Sequence, residues 1–215
     1  MNFSADISQK KILPGVVIAL AFLVFVIIGI GLCEPLTKPR TMALKASAFH
    51  DEKLILAAID AYHTVYGKYP VQPDTQGVVV FSKDNYRLFD VLRNRTGMVP
   101  GNTLNPQGLA ILQVPLSGDE KNPKSGIQVS TGIWYDPWGS PYHVAINTNK
   151  KGGFDKADLP DFYSDPGSLY GVNVIVWSYG PNGRLGGGQA LKLGFIDEAG
   201  APGKLSDSDD VVSWK

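Results

Sequence analysis

The chain has 215 residues, room for one membrane anchor and one domain of ordinary size. Lys+Arg and Asp+Glu number 20 each, a zero balance that excludes a nucleic-acid partner captured by a strong overall positive field. The one cysteine, Cys33, excludes an intramolecular disulfide, so the fold must stand on its core.

In chain order, residues 1–11 form a short N-terminal segment and residues 12–33 the anchor. Ile12 to Leu32 carries no charged residue. As a helix it spans roughly 31 Å, at about 1.5 Å per residue, which matches a hydrocarbon core of about 30 Å. Lys10 and Lys11 precede it and Glu34 follows, so the N-terminus is expected in the cytoplasm and the rest on the far side. A cleaved signal is the rival, but the apolar run exceeds an h-region of about 7–15 residues and no small-x-small site follows. Lipidation at Cys33 would want a small residue before it, and Leu32 stands there.

Residues 34–69 read as a kinked connector and an amphipathic helix. Pro35 and Pro39 interrupt the helical run, which resumes from Thr41 to about Gly67. Ile55, Ile59, Tyr62, Tyr66 and Tyr69 recur at steps of three and four and form one face, widened by Leu56, Ala58 and Val65. Asp51, Glu52, Lys53 and Asp60 are expected in solvent. Gly67 is the expected stop, and Pro70 blocks continuation. Asp84 to Arg95 reads as a second, short helix.

Residues 70–215 are rich in Gly and Pro and read as a loop-rich β region that forms one globular domain with the helix. Strands are expected at Leu109 to Val114, Ile127 to Val129, Tyr142 to Ile146, Val172 to Ser178 and Val211 to Trp214. Long loops run from Asn147 to Ser168 and from Pro181 to Lys204. Asp136-Pro137-Trp138-Gly139 and Gly180-Pro181-Asn182-Gly183 have turn chemistry, and Trp138 is expected beneath its turn. The fold class is α+β: a long N-terminal helix, first transmembrane and then amphipathic, packed on a small antiparallel sheet.

Several of these segments together resemble one family. They are Ala61 to Pro70, Tyr135 to Tyr142, Trp177 to Gly183, the glycines Gly186 to Gly188, and Asp209 to Trp214. In that order they resemble type IV pilin-like proteins, most of all the major (G-type) pseudopilin of type II secretion systems. The resemblance implies a structural subunit of a type II secretion or pilus-like assembly. It implies a single pass through the bacterial inner membrane, with the C-terminal domain in the periplasm. Implied partners are other pseudopilin subunits and membrane proteins of the secretion machinery, with self-association into a homopolymer. A patch repeated on every subunit in a non-closing contact yields a fibre. No nucleic acid and no catalysis are implied.

Related precursors carry a processing site in which Gly precedes Phe and a Glu follows within the apolar run. The nearest counterpart here is Gly15-Val16-Val17-Ile18-Ala19-Leu20. Gly15 keeps the glycine, Val16 replaces the Phe, and Leu20 stands at the Glu position. These departures support an alternative: a membrane-tethered extracytoplasmic binding domain with a pseudopilin fold that does not polymerise.

The C-terminal stretch Ser206-Asp207-Ser208-Asp209-Asp210 places three carboxylates within four residues. Hard oxygen ligands in a loop suit Ca²⁺, which takes six to eight of them. The resemblance implies a calcium loop here, with Asp209 and Asp210 as ligands and Asp207 as a third; Asn182 either contributes or shapes its turn. A solvated acidic tail is the alternative. Asn147 to Gly152 has Lys151 where a ligand would be needed. His50, His63 and His143 are scattered and form no metal or nucleophile motif, so the chain is not expected to be an enzyme.

Overall fold

The computed structural model describes residues 14–95, 103–149, 152–154, 169, 171–185 and 209–213, with side chains from residue 39 onward. It is α+β. In chain order the elements are α1 (Pro14–Tyr66), β1 (Val78–Phe81), α2 (Tyr86–Leu92), β2 (Gly126–Ile127), β3 (Trp134–Tyr135), β4 (His143–Asn147), β5 (Val174–Ser178) and β6 (Val211–Val212). The chain divides into two compact units, Met1–Ala43 and Leu44–Lys215. The apolar run from Ile12 to Leu32 lies outside the residues with described side chains. Among the described residues, no helix is long and apolar enough to cross a membrane.

In the second unit β1, β4, β5 and β6 form an antiparallel sheet in the order β1-β4-β5-β6. Val79 faces Ile146, Val144 faces Val176 and Trp177 faces Val212. Strands with period two send alternate side chains to opposite faces. Val144, Ile146 and Val176 therefore meet Ile55, Ile59 and Tyr62 of α1, all fully buried, in one core. Ala145, Ile175, Trp177 and Val212 point the other way and are covered by Phe154 and Leu169. Burying a side chain of this size stabilises by about 1.5–3 kcal/mol before entropy is counted. Of the stripe read from spacing, Ile55, Ala58, Ile59 and Tyr62 lie on the buried face of α1, whereas Val65 is exposed and Tyr69 lies beyond the helix.

Gly67 ends α1 as expected: its φ is 66° and its N–H donates to the His63 carbonyl at 2.8 Å. Two tyrosine hydroxyls then bind the helix to the loop beyond α2. Tyr62 donates to the Leu104 carbonyl, and Tyr66 donates to Asn105 Oδ1 at 2.5 Å. Asn105 Nδ2 in turn donates to the carbonyls of Val91 (2.9 Å) and Leu109 (2.8 Å). Buried Asn85, just ahead of α2, performs the same task elsewhere. Its Nδ2 donates to the carbonyls of Trp134 (3.1 Å) and Tyr142 (2.9 Å), and its Oδ1 accepts the Trp134 N–H (3.1 Å).

Some sequence expectations need correction. Leu109 to Val114 is extended but forms no strand, because the N–H groups of Ile111 and Leu112 go to the Leu92 carbonyl at 2.8 and 3.0 Å and finish α2 instead. The edge strand β1 and the short strand β3, which pairs with β2, add to the expected set. Trp138 is only half-buried. Trp134 fills the space beneath the turn, edge-on to Phe89 (5.2 Å between centroids) and Tyr142 (5.6 Å). Glu52, expected in solvent, is 0% exposed.

Candidate functional site

The turn after β3 is built around Asp136. Its Oδ1 accepts the N–H groups of Trp138 (2.9 Å), Gly139 (2.7 Å) and Ser140 (2.8 Å), and its Oδ2 accepts the Ser178 hydroxyl (2.5 Å). Gly139 supplies the positive φ, 102°, that closes the turn. Burial holds the Asp136 carboxyl above its ordinary value, against the opposing pull of these donors. Asp136 therefore ties its own loop to the end of β5, the strand that leads into the C-terminal loop.

That loop starts with a turn of 3-10 helix, Gly180–Asn182, ended by Gly183 at φ 65°. Gly180 is also at φ 65°, and a Cβ there would collide with the Asp209 carbonyl. The close approach brings the segments at 180 and 209 together. Asp209 is half-buried, and its Oδ1 accepts Asn182 Nδ2 at 2.8 Å while its Oδ2 accepts the Asn182 N–H at 3.2 Å. Asn182 Oδ1 accepts the Arg184 N–H at 2.7 Å. Asn182 thus presents a donor, not a ligand oxygen, to Asp209. Asp210 is 6% exposed, and Asp207 lies outside the described residues. Among the described residues, no three acidic, His or Cys side chains converge on a metal-sized point. A cation here would have to share Asp209 with Asn182 and draw its other donors from Asp207, Asp210 and backbone carbonyls.

Gly15 falls within α1, one residue after its first; its surroundings lie outside the described side chains. Asn147 uses its side chain to close its own loop, donating to the Gly153 carbonyl and accepting the Asn149 N–H at 2.8 Å. Of the three histidines, His63 stacks on Tyr69 at 4.6 Å, and His50 is exposed. His143 is buried between the rings of Trp177 (5.1 Å) and Tyr179 (4.1 Å), with Nδ1 2.5 Å from the Ser82 hydroxyl. Burial lowers its pKa to about 4, so it is neutral at pH 7 and shares a structural hydrogen bond with that hydroxyl.

Sequence reasoning misses a second carboxylate group, where α1 meets the sheet. Asp51 accepts the Tyr142 hydroxyl on Oδ2 at 2.9 Å. Glu52 beside it is fully buried, and neither of its oxygens has a hydrogen bond of ordinary geometry. A signal for it exists: Glu52 precedes Ile55, Ile59 and Tyr62 by three, seven and ten residues, on the same helical stripe. Nearby, a shallow groove of about 370 Å³ is lined by Leu56, Ala57, Asp60, Tyr69, Asn173 and Val174. No protein-family model, curated protein or solved structure matches this chain.

Proposed function

We propose that the chain is a pseudopilin-like structural subunit of a type II secretion or related pilus-like assembly. The observation that carries this reading is the amphipathic part of α1, seated by Ile55, Ile59 and Tyr62 on an antiparallel sheet and preceded in sequence by an uncharged run of membrane length. In this reading the apolar part of α1 anchors the subunit in the bacterial inner membrane, with the domain in the periplasm. The same part then packs against neighbouring subunits when a filament forms. Gly15 is the processing point, and Ca²⁺ binds at Asp207, Asp209 and Asp210. When bound, the cation would neutralise three carboxylates and fix the C-terminal segment against the 180–183 turn.

N-terminal sequencing of protein recovered from membranes tests processing. A mature chain that begins at Val16 with a methylated amine, together with cysteine crosslinks between anchors along Ile12 to Leu32, supports a polymerising subunit. An intact Met1 without crosslinks overturns it in favour of the tethered binding domain, a reading that Val16 and Leu20 support. The absent carboxylate leaves Leu20 fully at home in lipid, where a charge costs about 2.5–3.5 kcal/mol. For the metal, EDTA is expected to lower the melting temperature of the full chain in detergent, and Ca²⁺ to restore it. An unchanged melting curve removes calcium from the proposal.

A further inference from the structure

A buried carboxylate normally has a cation or several donors to hold its charge. Glu52 has neither. It is 0% exposed, both oxygens lack ordinary hydrogen bonds, and its surroundings are acidic. From α1 itself come Asp51, with His50 exposed beside it, and Lys53. From the turn after β3 comes Asp136, from the start of β4 Tyr142, and from the end of β5 the backbone of Ser178. Buried Asp210 precedes β6. Two of these carboxylates are already engaged as acceptors. Asp51 takes the Tyr142 hydroxyl, and Asp136 takes three backbone N–H groups and the Ser178 hydroxyl. Lys53, the cation of this neighbourhood, turns its ammonium to the Ser213 carbonyl at 2.7 Å.

The position of these groups matters as much as their charge. Ser178 pairs with Val211, and Ser213 is bonded both to Val176 and to Lys53. Glu52 and Lys53 therefore sit where α1 meets the end of β5 and the residue that follows β6. We infer that Glu52 is carried in the folded domain as a neutral carboxylic acid and acts as a proton-operated latch, whose ionisation releases the β6 segment from α1 and β5. The proton passes to solvent when the segment opens, and the exposed Glu52 then ionises like any carboxyl group. Burial, opposed by Lys53 and the Ser178 backbone, raises the Glu52 pKa from 4.5 to about 9 while the latch is closed. Between those values the open form binds one proton fewer than the closed form, so opening becomes easier as pH rises.

The test is amide hydrogen exchange on the full chain in detergent micelles from pH 5 to 9, corrected for intrinsic rates. Protection of the Val211 and Ser213 amides, which face β5, is expected to fall about tenfold per pH unit, while Val144, Ala145 and Ile146 in β4 keep theirs. In Glu52→Gln, and in Glu52→Met, which cannot ionise either, protection at 211 and 213 is expected to be flat over that range. Selective ¹³C labelling of glutamate carboxyls adds a direct readout: the signal lost in Glu52→Gln should stay in its protonated position at pH 7. The inference is overturned if that signal is a carboxylate at pH 7, or if the slope at 211 and 213 persists in either variant. It is equally overturned if β4 shares the slope, because the opening is then global.

Discussion

At Asp136 one oxygen receives three successive backbone N–H groups and the other a serine hydroxyl, all at 2.5–2.9 Å. Asp136→Ala would remove the side-chain acceptor of four donors, of which Gly139 alone keeps a second acceptor, the carbonyl of residue 136. We predict a loss of about 3 kcal/mol or more, measured by urea unfolding of the full chain in detergent. Asp136→Asn keeps an acceptor for the three N–H groups and should cost less than half as much. His143 acts on the acid side of the stability profile. Its pKa is about 4 in the folded domain against an ordinary value of 6.5, so the unfolded chain takes up its proton first. Stability from this group is complete above pH 6.5 and drains away as pH falls towards 4. His143→Gln should flatten that limb in thermal melts between pH 7 and 4, at the cost of ring stacking on Trp177 and Tyr179. Asp136 is legible in the sequence, because Asp-Pro-Trp-Gly has turn chemistry whatever surrounds it. Its second bond, to Ser178, is not, since the two residues are 42 positions apart. Glu52 is obscured for a related reason: its charge points to solvent, whereas its spacing places it on the buried stripe.

Among the elements, the part of α1 after Thr41 is the easiest to anticipate; the helix itself runs on through Pro35 and Pro39, where an interruption is expected from sequence. Its three- and four-residue rhythm survives in the fully buried Ile55, Ile59 and Tyr62, and Gly67 stops it with a left-handed backbone. Strand β1 escapes the expected set although Val-Val-Val-Phe between Gly77 and Ser82 is a β-branched run with turn residues at both ends. Strand β3 is hidden because Trp134 and Tyr135 read as the lead-in to a turn. The two left-handed glycines at 67 and 180 make a matched pair for measurement. Both have φ near 65°, but a Cβ meets nothing within 4 Å at Gly67 and strikes the Asp209 carbonyl at Gly180. Gly67→Ala is expected to cost about 1 kcal/mol, the conformational term alone. Gly180→Ala should cost clearly more and should loosen the segment around Asp209, which chemical denaturation and amide exchange at 209–213 would register together.

For the molecule as a whole, the α+β class and the placing of a helix over one sheet face follow from composition and periodicity. Strand order does not, because the neighbours β1 and β4 are separated by two other strands and α2. In the sheet, β4 and β5 are interior and β1 is an edge. Amide exchange of the full chain should therefore find Val144 to Ile146 slowest and the outward-facing amides of β1 among the fastest of the sheet. The partnership of β1 with β4 also has a kinetic side. Val78 pairs with Asn147 and Phe81 with Val144, so each contact closes a loop of roughly 65 residues. Closing such a loop costs about 4 kcal/mol of chain entropy before any ladder bond is gained. That cost is set by a logarithm: halving the excursion would return only about 0.6 kcal/mol. The segment between β1 and β4 is thus inexpensive to lengthen or shorten at equilibrium. The toll falls on folding speed, since a hairpin of neighbouring strands could zip in microseconds while β1 must wait for its partner to be made and brought back.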